Sequence, residues 1–179
     1  SSAASDVYKR QFQASGAFYN KSGGVTELYG SHHSRNEEAK FINEGTYNIH
    51  SSGSIVANSK IENSGTMDNS GDVTANKGLD STGRFLNSGS LSVSGASDIS
   101  SVTGSGSTTL QSGTIRVSSL SQSSLKVGSS ANVSASNVNT SNITNAGTLN
   151  VTTLDKYSGI SYTQTSGSIT VANNWFDKS

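Results

Sequence analysis

The chain has 179 residues, of which 92 are Ser, Thr, Asn or Gly; it has no Pro, no Cys and a formal net charge of zero. Balanced charge supplies no electrostatic drive toward nucleic acid or an anionic membrane, and the absence of cysteine excludes a disulfide framework and a thiolate metal site. The longest apolar run is three residues, for instance Ile55-Val56-Ala57, too short for a membrane-spanning helix.

Ile, Leu, Val and Phe together make only 35 residues, which brings a disordered Ser/Gly linker into view. The order of those residues decides against it. At the start, Asp6-Val7-Tyr8-Lys9-Arg10-Gln11 can be encoded GAT GTG TAT AAG AGA CAG, which looks like the transposon end joined to DNA during sequencing-library preparation. Residues 1–11 are therefore expected to be a non-native assembly scar or a disordered tail. No basic segment followed by an apolar run opens the chain as a secretory signal would.

Residues 12–40 are expected to form an irregular first coil, with Gly24-Val25-Thr26-Glu27-Leu28 as an imperfect repeat unit. His32-His33, beside Glu37 and Glu38, offer imidazole and carboxylate ligands. Adjacent strand residues point to opposite faces and rarely share one ion, so a surface loop is the expectation. Ser34 to Phe41, with Glu37 three residues after Ser34, is the only stretch that admits a turn of helix; elsewhere Ser, Thr, Asn and Gly disfavour one.

From Phe41 to the end a short unit recurs: a polar turn closing on Gly, a small polar residue, then apolar residues in alternation. It reads Gly45-Thr46-Tyr47-Asn48-Ile49, Gly89-Ser90-Leu91-Ser92-Val93, Gly113-Thr114-Ile115-Arg116-Val117, Gly147-Thr148-Leu149-Asn150-Val151 and Gly167-Ser168-Ile169-Thr170-Val171. Period-two alternation makes each unit a short strand with one face inward. The Asn two positions before several of these glycines (Asn43, Asn63, Asn87, Asn145) can bond its own backbone in the bend. With Gly24, Gly45, Gly65, Gly89, Gly113, Gly147 and Gly167 as markers, the steps are 21, 20, 24, 24, 34 and 20 residues. Such a period signals a solenoid. The expected fold is all-β: a right-handed, single-stranded parallel β-helix over residues 41–179, about six to eight coils of roughly 20–24 residues, with adjacent coils about 4.8 Å apart. The 34-residue step leaves the register open between Gly113 and Gly147, where Gly128 would split it.

The expected inward residues are Tyr47, Ile49, Ile55, Ile61, Met67, Val73, Phe85, Leu91 and Val93, continuing with Ile115, Val117, Leu125, Val127, Ile143, Leu149, Val151, Ile169 and Val171. Equivalent Asn or Ser residues in successive turns can stack and bond to one another. A thin solenoid needs few apolar residues, and linkers do not repeat apolar pairs at this spacing. The chain stops soon after a strand, at Asn174-Trp175-Phe176-Asp177-Lys178-Ser179, so it is expected to be a piece of a longer rod.

Phe41-Ile42-Asn43-Glu44-Gly45-Thr46, Ile61-Glu62-Asn63-Ser64-Gly65-Thr66, Phe85-Leu86-Asn87-Ser88-Gly89-Ser90 and Ile143-Thr144-Asn145-Ala146-Gly147-Thr148 share an apolar-x-Asn-x-Gly-Thr/Ser pattern. It resembles the β-helical passenger regions of bacterial autotransporters and large surface adhesins. Tyr162 to Ile169, followed by Asn174-Trp175-Phe176, looks like a further phrase of such passengers. The resemblance implies a structural or adhesive segment displayed at the bacterial cell surface, anchored in the outer membrane by a C-terminal translocator barrel outside this sequence. It also implies a host or surface ligand, glycan or protein. The lack of Cys fits a passenger that crosses a periplasm unfolded. End-to-end self-association is expected where end strands are exposed.

No catalytic, cofactor-binding or metal site is expected. The alternative is a polysaccharide-degrading β-helix, a lyase or tailspike-like depolymerase. Glu37, Glu38, Glu44, Glu62, Asp68, Asp72 and Asp80 concentrate in the first half with Lys60, Lys77 and Arg84, and residues one coil apart stack along one face. Glu44, Glu62 or Asp68, and Asp80 are the carboxylates that such stacking would gather, although a solvated face of mixed sign is the plainer expectation. From Ile99 to Leu154 only Arg116 and Lys126 are charged. There is no Gly-x-Ser-x-Gly elbow with downstream acid and His. Gly104-Ser105-Gly106-Ser107 lacks both the phosphate-loop lysine and the dinucleotide-binding spacing. No calcium nonapeptide occurs, and Asn-x-Ser/Thr matches at Asn20, Asn132, Asn139, Asn142 and Asn150 are what this composition gives by chance.

Overall fold

The computed structural model describes residues 5–8, 12–14, 17–34, 37–155 and 161–175. Among these residues every regular element is a strand and every pairing is parallel. The chain winds as a parallel β-solenoid of about eight turns. At about 4.8 Å per turn the stack is roughly 40 Å long.

Each coil has three sides. The first side is built by β3 (Phe18–Asn20), β6 (Phe41–Asn43), β9 (Ile61–Asn63) and β12 (Leu79–Ser81). The second stacks β1 (Ser5–Tyr8), β4 (Val25–Leu28), β7 (Thr46–Ile49), β10 (Thr66–Asn69) and β13 (Arg84–Asn87). The third stacks β2 (Phe12–Ala14), β5 (Ser31–Ser34), β8 (Ser54–Ala57), β11 (Asp72–Ala75) and β14 (Ser90–Ser94). Beyond Ser94 the strands run through the corners. β15 (Ser97–Thr103) serves the first and second sides, and β16 (Ser107–Asn145) continues unbroken for 39 residues. β17 (Thr148–Asp155), β18 (Ser161–Gln164) and β19 (Ser168–Trp175) complete the stack.

The ruler is finer than the sequence markers suggested. Thr46 faces Thr66 and Thr66 faces Arg84, so the step falls from 20 to 18 residues. It is 18 at Asp72↔Ser90 and Ser97↔Ile115, 17 at Phe85↔Val102, 16 at Asn132↔Thr148, and returns to 20 at Thr148↔Ser168. An 18-residue coil is three sides of six. The marker glycines belong to different corners. Gly24, Gly45, Gly65 and Gly83 stack before the second side, while Gly53, Gly71, Gly89 and Gly106 stack before the third. The 24-residue interval from Gly65 to Gly89 is therefore one coil plus one side. Gly128 lies between Gln111 and Gly147 in the stack, so the long interval holds two coils, as splitting at Gly128 anticipates.

Alternation fills the interior. On the second side Tyr47, Met67, Phe85, Val102 and Leu120 follow one another in register, each 2% exposed or less. On the third, Ile55, Val73 and Leu91 do the same. Sixteen of the eighteen residues expected inward are buried; Ile169 and Val171, in the last described coil, are partly buried and pack against the core. No helix forms among the described residues of 34–41. Glu37 and Glu38 make a turn, because the chain must bend back to place Phe41 in register with Phe18.

Asparagine ties coil to coil. Asn20 Nδ2 donates to Asn43 Oδ1 at 2.8 Å, Asn43 to Asn63 at 2.8 Å, and Asn63 to Ser81 Oγ at 3.0 Å. Each also donates to a carbonyl in the next coil, namely those of Thr46, Thr66 and Arg84. A second file runs from Asn69 to Asn87 at 2.8 Å and from Asn87 to Gln122 at 2.7 Å. The asparagine donors of both files point the same way along the axis, so their amide dipoles reinforce one another in a dry interior. Asn63→Ala removes two donated bonds and leaves Asn43 a donor without its acceptor. The expected loss is about 2–3 kcal/mol, read as a lower midpoint in urea unfolding with an unchanged slope.

Candidate functional site

The outward positions of the first side form one file. Ile42, Glu62, Asp80, Asp98 and Arg116 succeed each other in register, and Ser134, Asn150 and Thr170 follow the same order further on. The spacing that puts them in line is the coil step itself. Three carboxylates in adjacent strands repel, and cations at the flanks offset this. Lys60 pairs with Asp80, and Arg116 Nη1 stands 3.6 Å from Asp98. Asp80 also accepts the Asp98 backbone N–H at 3.1 Å.

Of the carboxylates singled out in the sequence, the fold gathers Glu44, Glu62 and Asp80 around a depression of about 230 Å³, with Ile42, Ser64 and Thr82 also on its walls. Asp68 is not among them. It lies outward on the second side, level with Asn48 and Leu86. Asp72 lies on the third side, level with Ser54 and Ser90. Lys77 pairs with Glu37 at 3.1 Å, and Arg84 is level with Thr66 on the second side. Glu44 accepts the Tyr19 hydroxyl at 2.6 Å, a bond that holds the Tyr19 phenol above its ordinary pKa. A wider groove of about 450 Å³ runs along the later coils, floored by small residues such as Ser118, Ser136 and Thr152 beside Arg116.

The two histidines separate, as alternation requires. They lie on β5 rather than in a surface loop: His33 faces outward and His32 is 1% exposed in the interior. The inward position on this side is otherwise held by Ile55 and its successors, and the strand period allows only one of two neighbours to point out. Among the described residues, no three His, Cys, Asp or Glu side chains are grouped to hold a metal ion, and no helix is long and apolar enough to cross a membrane.

One surface cluster escaped the sequence reading. Glu27 accepts Asn48 Nδ2 at 2.7 Å and contacts His50 Nε2 at 2.7 Å, and His50 stacks on Tyr29 with ring centres 3.8 Å apart and planes 7° from parallel. Glu27 and Asn48 are level on adjacent coils, 21 residues apart. The signal was present in the chain but appears only once the register of this coil is known.

The chain matches no family model, no curated protein and no solved structure.

Proposed function

We propose that the chain is a structural segment of a bacterial cell-surface passenger, acting as a rigid stalk whose outer faces offer a shallow binding surface to a glycan or protein. The observation that carries this reading is the continuity of the register. From Val25–Leu28 to Arg84–Asn87 the second side stacks coil on coil without a shift, and its Tyr47, Met67 and Phe85 side chains point inward. Stiffness is the property such stacking produces, because these coils are held by ladder bonds, an apolar file and an amide file at once. The apolar-x-Asn-x-Gly repeat, which resembles autotransporter passengers, and the cysteine-free composition support the surface setting.

The depression lined by Glu44, Glu62 and Asp80 favours one second reading, a polysaccharide-degrading β-helix, since carboxylates on adjacent coils approach the separation used in glycoside cleavage. Incubating the protein with neutral and acidic polysaccharides and following the release of new chain ends separates the two. The stalk reading expects no release above that of Glu62→Gln. Release by the wild type that Glu62→Gln abolishes would replace it with the enzymatic reading.

A further inference from the structure

The cluster around Glu27 presents an aromatic plane edged by polar groups that are already oriented. The Glu27 carboxylate spans two donors of the next coil, with Asn48 Nδ2 on one oxygen and His50 Nε2 on the other, each at 2.7 Å. A carboxylate only accepts, so it fixes the proton of a neutral His50 on Nε2 and leaves Nδ1 an acceptor. The His50 ring lies flat on Tyr29, with 3.8 Å between centres and 7° between planes. Ser52 Oγ donates to the Tyr29 carbonyl at 2.8 Å, which ties the backbone under the ring to the same coil. Tyr29 nevertheless stays 40% exposed; among the described residues only Tyr19 is another large apolar side chain so open to solvent.

We infer that Tyr29, His50, Glu27 and Asn48 form a binding site for one neutral pyranose unit of a glycan. The inference rests on the reading of the rod as a stalk with a shallow binding surface, and it names the place and the ligand. A pyranose ring carries C–H bonds on its faces, which match a flat aromatic plane, and hydroxyls around its rim. Each hydroxyl both donates and accepts. The polar edge of the site is mixed in the same way: Asn48 keeps a second N–H and its carbonyl oxygen, and Glu27 keeps lone pairs on both oxygens. Asp68, level with Asn48 on the following coil, adds a further acceptor. An ammonium group only donates and would leave the Asn48 N–H unused, and the Glu27 charge it would seek already holds two donors. The groups are set before a ligand arrives, so little side-chain entropy is lost on binding. A shallow site encloses little of its ligand, so one sugar is held weakly and a chain of sugars must add contacts along the stalk.

NMR of the intact chain at neutral pH tests this, by titration with the methyl glycosides of glucose, galactose and mannose and, separately, with Nα-acetyl-lysine methylamide. The expected result is that at least one glycoside shifts the Tyr29 and His50 ring signals, saturating with a Kd on the order of 1 mM. Tyr29→Ala should weaken that binding at least about tenfold, whereas Tyr29→Phe, which keeps the ring, retains it. Ring signals that no glycoside moves, undiminished binding by a folded Tyr29→Ala, or shifts caused by the lysine amide and not by the sugars would overturn the site. Should Tyr29→Ala fail to fold, a transferred Overhauser contact between sugar C–H protons and the wild-type Tyr29 ring decides: its presence upholds the site and its absence overturns it. The stalk reading fails separately. Polysaccharide chain ends released by the wild type and not by Glu62→Gln would remove that reading, while silence at Tyr29 in a protein that releases none removes this site alone.

Discussion

Gly65→Ala is expected to destabilise the rod by about 3–4 kcal/mol, an effect out of proportion to one added methyl group. A Cβ at this position would stand 2.1 Å from the Gly45 carbonyl oxygen and 2.6 Å from the Glu44 carbonyl carbon. Both are backbone atoms of the coil before, so no rotamer change relieves the contact. The same Gly45 oxygen accepts the Thr66 N–H at 2.8 Å; moving it away breaks the ladder at the corner where two sides meet. Gly83 repeats the arrangement against Gly65, also at 2.1 Å. The requirement is close approach rather than unusual backbone torsion. Urea unfolding of Gly65→Ala beside Ser64→Ala, an exposed neighbour, checks it: the first should lose most of its stability and the second almost none. A Gly65→Ala protein as stable as the wild type would mean that the corners do not stack as described.

Phe85→Ala is expected to cost about 3–5 kcal/mol. Phe85 is 1% exposed and lies between Met67 and Val102 in the second-side file. Neither neighbour has the length to fill the vacated space, and the main chain above and below is fixed by ladder bonds, so the cavity collapses little. The effect should be regional. Exchange protection should fall in the coils that include residues 66–103 before it falls in those near Leu149, because coupling passes through neighbours. Thermal unfolding with residue-level exchange measures this, and a uniform loss would show the stack to be more cooperative than a nearest-neighbour rod.

The sequence carried the solenoid and most of its interior, for a physical reason. A parallel stack demands an apolar residue at every second position and a small residue at every corner, and Tyr47, Met67, Val73 and Leu91 obey that demand one by one. Composition could not distinguish one corner from another. Gly65 and Gly89 look alike as letters yet stand at different corners, and only the hydrogen-bonded register separates them. The asparagine ladder was legible in part. The Oδ1 atoms of Asn69 and Asn145 do accept the N–H groups of Gly71 and Gly147 in their own bends, at 3.1 and 3.2 Å. Asn43 and Asn63 instead accept from the preceding asparagine.

Other features depended on space that a sequence does not display. Gln122 reaches back to Asn87 because Gly104, in the coil between, leaves no side chain in the way, and its Nε2 donates to the Gly104 carbonyl at 3.2 Å. His32 gave no sign of being interior, since polarity argues for the surface and only strand phase overrules it. The carboxylate depression was half visible: Glu44, Glu62 and Asp80 were candidates from the sequence, whereas Asp98 joined the outward file only when the step settled at 18 residues.

A stiff stack of coils in register is open to direct measurement, because the chain carries no cysteine of its own. Spin labels placed through Glu62→Cys and Asn150→Cys sit on the outward file of the first side, about five coil steps apart. A stack in register gives a narrow distance distribution centred near about 24 Å, and the pair Glu62→Cys with Thr170→Cys should read about one coil step longer. A broad distribution centred near about 50 Å, the span of a flexible linker of that length, would contradict the rod.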